Sequence, residues 1–379
     1  MGKAERRNAC LAGLVQGGVI RAGLLVALGL VIAGCGGSAG TTSTQPESGV
    51  AASSERGDGG LDKQTAESGS PGESPEVEAG EYGPSAPSDS VPPRPPVSPG
   101  PSDPPGESPT SGSFSALTYN VAGLPDSLSG SNPEINTALI GPRLNEFDLV
   151  LVQESWLTPI PNPNAPLRTY HEELLATSTL PFQSESLPSP LGSDPTRPEA
   201  LLSDGLNRFS NLAFAPPIRR RWTNCGPASA DCLSLKGFSM ARTTLAPGIE
   251  IDVYNLHMDA GSADFAIRAE NVDELATFIE ENSSGNAVIV GGDFNLHIDE
   301  EPDGSQFADL LARGELTDVC TELACDEPTR IDKFLYRSIP GLTLAPTTWS
   351  NLTSDFLRSD GLRLSDHDPV LANFDWSTE

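Results

Sequence analysis

Lysine is almost missing from this chain: four are present among 379 residues, and arginine raises the basic total only to 23 against 52 acids, a formal net charge of −29 at pH 7. So negative a chain repels a polyanion at long range, which disfavours nucleic acid as a partner unless bound cations or a local basic patch offset the field. Arg219-Arg220-Arg221 is the one such patch, and it reads as the cap of a surface strand. Long apolar runs are missing too. The longest, residues 22–33, is twelve residues, short of the ~20 that a bilayer-crossing helix needs. Glycine is plentiful, yet no phosphate-binding loop occurs: Val290-Gly291-Gly292-Asp293 lacks both the spacing and the Lys-Ser/Thr. The six cysteines include no Cys-x-x-Cys pair, which argues against a zinc site. No internal repeat is present.

What is present falls into three zones. Lys3, Arg6 and Arg7 precede the apolar run, which ends in Leu30-Val31-Ile32-Ala33-Gly34-Cys35. A basic start, a short apolar stretch and small residues before a cleavage point make an export signal. Residues 1–35 resemble a bacterial lipoprotein signal, which implies acylated Cys35 as the first mature residue and a lipid-anchored envelope protein, at the outer membrane or otherwise, or else a secreted one. Residues 36–112 are crowded with Pro, Ser, Gly and Glu, as in Pro92-Pro93-Arg94-Pro95-Pro96. Such a stretch buries too little apolar surface to offset its ordering entropy and reads as a disordered tether. Residues 113–379 have globular texture, one core's worth of chain, with 39 acids against 16 bases. Their four cysteines form two close pairs, Cys225 with Cys232 and Cys320 with Cys325. In an oxidising compartment these read as two local disulfides.

Residues 114–119, 148–153, 249–256 and 287–290 are strand-like apolar runs bounded by turn residues, while 135–144 and 263–281 carry helical spacing. In the second helix Phe265, Ile267, Val272, Leu275, Phe278 and Ile279 make one stripe. Strands alternating with helices predict a layered α/β domain. The Pro-rich segment 157–203 interrupts the alternation and is expected as a loop over the site.

Polar residues sit at the ends of those apolar runs. Glu154 follows a wholly apolar strand, with Asn120 ending the one before it, and hard cations such as magnesium take oxygen ligands of this kind. His257 and His367 both lie near aspartates, an arrangement that raises a histidine's pKa and fixes its tautomer for acid or base work. Asp293-Phe294-Asn295 places two polar side chains on one side, the first to hold an attacking water and the second to donate to a phosphate oxygen. Asp332 lies in a strand-like run, where a buried acid needs a partner, and a histidine would supply it. His171 and His297 read as loop or helix surface.

In order, Leu117-Thr118-Tyr119-Asn120-Val121, Val152-Gln153-Glu154, Asn255-Leu256-His257-Met258-Asp259, Gly291-Gly292-Asp293-Phe294-Asn295, Arg330-Ile331-Asp332 and Ser365-Asp366-His367-Asp368-Pro369-Val370 resemble the motifs of the endonuclease/exonuclease/phosphatase superfamily. The resemblance implies a four-layer α/β/β/α sandwich of two mixed sheets with outer helices. It implies a phosphoesterase site using Mg2+, with Mn2+ or another divalent cation as substitutes. Carried over by position, Glu154 is the principal metal ligand with Asn120 in the same shell. His367 is the general base polarised by Asp332, with Asp366 a second acid nearby. Asp293 and Asn295 position nucleophile and phosphate, and His257 stabilises the transition state or protonates the leaving group.

Asn224-Cys225-Gly226-Pro227 followed by Leu233-Ser234-Leu235-Lys236-Gly237-Phe238 is similar to elements of secreted bacterial neutral sphingomyelinases. That likeness implies a membrane-tethered phosphodiesterase acting on phospholipid headgroups, with Lys236 near the substrate phosphate. Two features depart from that pattern: the second cysteine follows only seven residues after Cys225, and no aromatic membrane-inserting hairpin is evident. The alternative is a secreted nuclease acting on DNA or RNA. A lipoprotein that retains the fold for binding alone is opposed by the intact motif residues. The expected partners are a phosphoester substrate, phospholipid or nucleic acid, and the membrane through the lipid anchor; no obligate protein partner is implied.

Overall fold

The computed structural model describes residues 109–158, 169–227 and 229–379. The signal with Cys35 and nearly all of the expected tether lie outside the described residues. No helix among the described residues is long and apolar enough to cross a membrane.

Two six-stranded sheets carry the architecture. The first contains β1 (Ser111–Asn120), β2 (Leu149–Gln153), β3 (Phe182–Gln183), β4 (Asn207–Ser210), β11 (Leu342–Asn351) and β12 (Val370–Thr378), in the order β11-β12-β1-β2-β4-β3. The second contains β5 (Ile218–Arg221), β6 (Gly237–Ala246), β7 (Ile249–His257), β8 (Val288–Asp293), β9 (Thr317–Asp318) and β10 (Asp332–Arg337), in the order β5-β6-β7-β8-β10-β9. Each sheet is mixed, with one parallel pair at its centre, β1 with β2 and β7 with β8. Parallel neighbours need a crossover, and helices supply it: α1 (Pro133–Leu144) between β1 and β2, and α3 (Phe265–Asn282) between β7 and β8. α2 (Tyr170–Thr177) follows β2, opened by Thr169 and Glu172 as a capping box. α4 (Asp303–Gly314) precedes β9.

Three apolar clusters define four layers. Leu117, Ile140, Val150, Leu174 and Phe209 join the first sheet to α1 and α2. Phe114, Leu151, Val253, Ile289 and Phe334 fill the space between the sheets. Tyr254, Val272, Leu275, Ile279 and Leu310 join the second sheet to α3 and α4. The expected α/β sandwich is thus the observed one. In α3 the stripe holds at Val272, Leu275 and Ile279, whereas Phe265, the first residue of the helix, is exposed.

The glycine pair before Asp293 serves packing rather than phosphate. A Cβ on Gly291 would meet Phe334 of β10 at 2.5 Å and Leu151 of the facing sheet at 2.8 Å. Gly292 has φ +152°, and its Cβ would lie 2.2 Å from Leu256 O. Polar bonds also cross the sheet interface. Gln153 Nε2 donates to Asn255 Oδ1 at 2.7 Å, and Asn255 Nδ2 donates to Val152 O at 3.0 Å. Arg208 of β4 is buried and donates to Val253 O at 3.2 Å and Ser239 O at 3.1 Å. Both expected disulfides are formed, Cys225 with Cys232 and Cys320 with Cys325. The segment 157–203 is not one loop, because it contains α2 and β3.

Candidate active site

Strand register brings the predicted residues together at one end of the sandwich. Parallel pairing of β7 with β8 sets His257 opposite Asp293, and antiparallel pairing of β8 with β10 sets Asp332 opposite the same Asp293. Asp293 is therefore the middle of three neighbouring strand ends. In the other sheet β1 ends at Asn120 beside Gln153, and the chain turns at Glu154, whose φ of 56° is left-handed. A non-glycine residue there costs about 1 kcal/mol or more and persists where the surroundings hold it. Here Gly123 N–H donates to Glu154 O at 3.1 Å and Ser155 N–H to Gly205 O at 2.9 Å.

Asn120 joins the two halves. Its Nδ2 donates to Glu154 Oε1 at 3.1 Å and to Asp293 Oδ2 at 3.2 Å, while its Oδ1 accepts from Ala122 N–H at 3.1 Å. That last bond fixes which way the amide faces. Ser365 Oγ donates to Asn120 O at 2.7 Å and accepts from His367 N–H at 3.2 Å, which seats the last loop over the cluster. His367 Nδ1 then lies 2.9 Å from Asp332 Oδ2, and its Nε2 is 3.7 Å from Asp293 Oδ2. The histidine partner expected for Asp332 is His367.

Burial and charge set the protonation states. Asp293 is 1% exposed, and burial pushes its carboxyl up to about 7, with Asp332 adding to the rise and His367 opposing it. Burial pulls His367 down, but Asp293, Asp332 and Glu154 together raise it to about 10. His257 is 1% exposed and held well below its ordinary range by burial, with Lys236 and His367 adding repulsion. It is a neutral imidazole whose Nε2 lies 3.3 Å from Asp293 Oδ2 and whose Nδ1 has no protein partner among the described residues. Asn295, at φ 51°, donates from Nδ2 to Met258 O at 3.1 Å, and its N–H donates to Asp293 Oδ1 at 3.1 Å.

A cavity of about 220 Å³ opens beside Glu154, lined by Trp156, Leu202, Asp231, Leu233 and Lys236 among others. Lys236 is buried and ion-paired with Asp231 at 2.6 Å. Burial lowers the ammonium's pKa, yet Asp231, Glu154 and Asp293 outweigh it and raise it. Asp231 and Trp156 were missed in the sequence. An acid next to Cys232, on the disulfide loop leading to Lys236, was the available signal.

Two readings of the sequence change. Asp366 does not join the cluster: it is exposed, with its carboxylate 3.2 Å from Ser365 Oγ, the serine occupying the inner position of the turn. His171 is not at the surface but buried, with Nδ1 2.8 Å from Ser155 Oγ, and burial holds it down near 4; His297 is exposed as expected. The three arginines lie in the edge strand β5, as expected, and their charges are engaged: Arg219 pairs with Asp204 at 2.6 Å, Arg221 with Asp194 at 2.9 Å, and Arg220 lies over the Phe278 ring.

No protein-family model matches the chain. It is 35% identical over 296 residues to sphingomyelinases of Mycobacterium bovis and Mycobacterium tuberculosis, a match covering 71% of this chain and 54% of theirs. The chain thus spans about half the length of these relatives. Among solved structures, Danio rerio TDP2 complexed with a single-strand DNA product matches with a TM-score of 0.51 at 16% identity, over 69% of this chain and 98% of that one. Sphingomyelinase C from Streptomyces griseocarneus gives a TM-score of 0.47 at 18% identity, over 69% and 99%. At such identities the likeness to solved structures is one of fold. The fold is that of the TDP2 structure, and the ordered motifs upon it resemble those of the endonuclease/exonuclease/phosphatase superfamily.

Proposed function

We propose that the chain is a divalent-cation-dependent phosphodiesterase that cleaves phospholipid headgroups, sphingomyelin foremost, by in-line attack of water. The observation that carries this reading is the meeting of Asn120, Glu154, His257, Asp293, Asp332 and His367 in one cluster of hydrogen bonds and close charged pairs beside the Lys236 cavity. The mycobacterial relatives' name supplies the substrate class. Export and lipid anchoring through Cys35 rest on the first 35 residues of the sequence.

The residues fit a hard cation. Two carboxylates, Asp293 and Asp332, converge with His367, Asn120 Nδ2 links Glu154 to the first, and Asp332 Oδ1 is buried without a protein partner among the described residues. Glu154 would hold the cation, with Asn120 orienting the carboxylates of Glu154 and Asp293 through its Nδ2; Asp293, Asp332 and His367 have donor atoms within 4.8 Å of one another. Bound there, Mg2+ would neutralise charge developing on the phosphoryl oxygens.

The chain's own residues do the rest. Asp332 accepts the Nδ1 proton of His367, which leaves Nε2 as the atom that takes a proton from water. A cation held by Glu154 would offset the carboxylate charge that lifts His367 and would bring the imidazole nearer the range in which it is a base at neutral pH. Asp293 orients the water, and Asn295 offers its amide to the phosphate. Neutral His257 acts as a hydrogen-bond donor from Nε2. Lys236 stands on the cavity wall beside Glu154, where an ammonium meets a phosphate.

The test is hydrolysis of sphingomyelin vesicles by the purified chain with Mg2+, following phosphocholine release, with supercoiled DNA in parallel. Release that EDTA abolishes, that Mg2+ restores and that Glu154→Gln and His367→Ala lack is the expected result. Nicked DNA with intact lipid would move the chain to the nuclease alternative.

A further inference from the structure

We propose that Arg330 is a positioning residue of the site: it clamps Asp368, the neighbour of His367, and so holds the histidine loop against the strand that carries Asp332. The proposal rests on the phosphodiesterase reading above. Arg330 Nη2 lies 2.9 Å from Asp368 Oδ2, with side chains 16% and 15% exposed. Its Nε donates to Glu327 Oε2 at 2.8 Å. Asn351, the last residue of β11, donates from Nδ2 to Glu327 Oε1 at 3.0 Å and to Asp368 Oδ2 at 3.4 Å. Four side chains from three segments thus close one network, next to His367 on one side and just ahead of Asp332 on the other.

The network is needed because the imidazole is otherwise under-determined. One bond, Nδ1 to Asp332 Oδ2, sets its tautomer, while Asp332 Oδ1 has no partner among the described residues and cannot correct the ring's position. Ser365 fixes the loop on the Asn120 side, and Arg330 fixes it on the other. A charge-assisted pair with this much cover keeps most of its strength in salt. Arg363 also pairs with Asp368 but is 45% exposed, so screening leaves it a small share.

The experiment compares Arg330→Ala, Arg330→Lys, Asp368→Asn, the Arg330→Ala/Asp368→Asn pair and Arg363→Ala on vesicle hydrolysis. Each is measured for kcat, KM and Tm, and for the NMR resonance of the His367 Nδ1 proton. Displacing a catalytic group by ~1 Å costs about 100-fold, so Arg330→Ala should lower kcat about 10- to 100-fold at near-constant KM and Tm. Arg330→Lys should recover part of it, the pair should be no worse than Arg330→Ala alone, and Arg363→Ala should stay close to wild type. The Nδ1 proton, hydrogen-bonded in the wild type, should lose its downfield shift in Arg330→Ala. Unchanged kcat, a fall in kcat matched by a fall in Tm, or additive losses in the pair would overturn the clamp. Should the wild type hydrolyse no phosphodiester, the reading of function fails by itself. The Nδ1 resonance then decides the clamp, and its survival in Arg330→Ala refutes it.

Discussion

The two sheets contribute to the site in different ways. The second sheet supplies His257, Asp293 and Asp332 from three neighbouring strand ends, all 2% exposed or less and set by register. The first supplies Asn120 and Glu154 from a strand end and a left-handed turn, with Glu154 partly exposed and lining the cavity. A carboxylate in the interior is costly to ionise, while one at a cavity rim keeps its hydration until a ligand arrives. One half is therefore built to hold proton positions and the other to meet what enters from solvent.

The largest effect that could break this comparison is expected at Glu154 and Asp293. Glu154→Gln and Asp293→Asn should both remove turnover by about 1,000-fold or more if each supports transition-state charge. Only Glu154→Gln should leave the metal-free fold unaltered; Asp293→Asn removes a carboxyl that burial disfavours and should melt no lower than wild type at pH 8. Calorimetry of both variants in EDTA checks this, and a large loss of Tm in Asp293→Asn would place the acid in the structural frame instead. His367→Ala should cost about 100- to 10,000-fold in kcat, the span of general-base catalysis, with folding retained by circular dichroism. Asp332→Asn should cost less, roughly 10- to 100-fold, the order for an outer partner of a site residue, and should shift the acidic limb of the pH–rate profile. The smallest effect is on stability against pH. His367 in the metal-free fold sits near 10, above its ordinary 6.5. Its contribution is then complete below 6.5 and is lost as pH rises through about 10. Tm in EDTA should fall across that window, and His367→Gln should flatten the fall.

The sequence made the buried half legible and the rim only partly so. Apolar runs ending in Asp293, His257 and Asn120 announce strands with polar tips, and the order of the motifs implies the sandwich. The partner of Asp332 followed from the cost of a lone buried acid. Asp366 misled, because a turn's alternation decides which of two adjacent residues faces inward, and Ser365 took that place. Arg219, Arg220 and Arg221 were legible as part of a surface strand, whereas the pairing of the first with Asp204 and the last with Asp194 was not. Asp231 was missed although it lies only five residues before Lys236, because spacing alone does not say that the two side chains meet in a buried ion pair. Pairings of this kind depend on tertiary approach, which periodicity does not encode.

The bonds between Gln153 and Asn255 and from Asn255 to Val152 O carry a consequence for how such a molecule tolerates change. Two apolar faces can slide past one another with little penalty, because dispersion and burial are almost indifferent to direction. Hydrogen bonds are not, and lose most of their strength within a fraction of an ångström and a few tens of degrees. These few polar bonds therefore act as a vernier: they convert a loose stack of plates into one with a single setting. At that setting the tips of the two sheets, and with them Asn120, Glu154 and Asp293, come into reach of each other. Drift in the apolar filling would be absorbed, whereas the loss of one amide at position 255 would detune a site about a strand's half-length away.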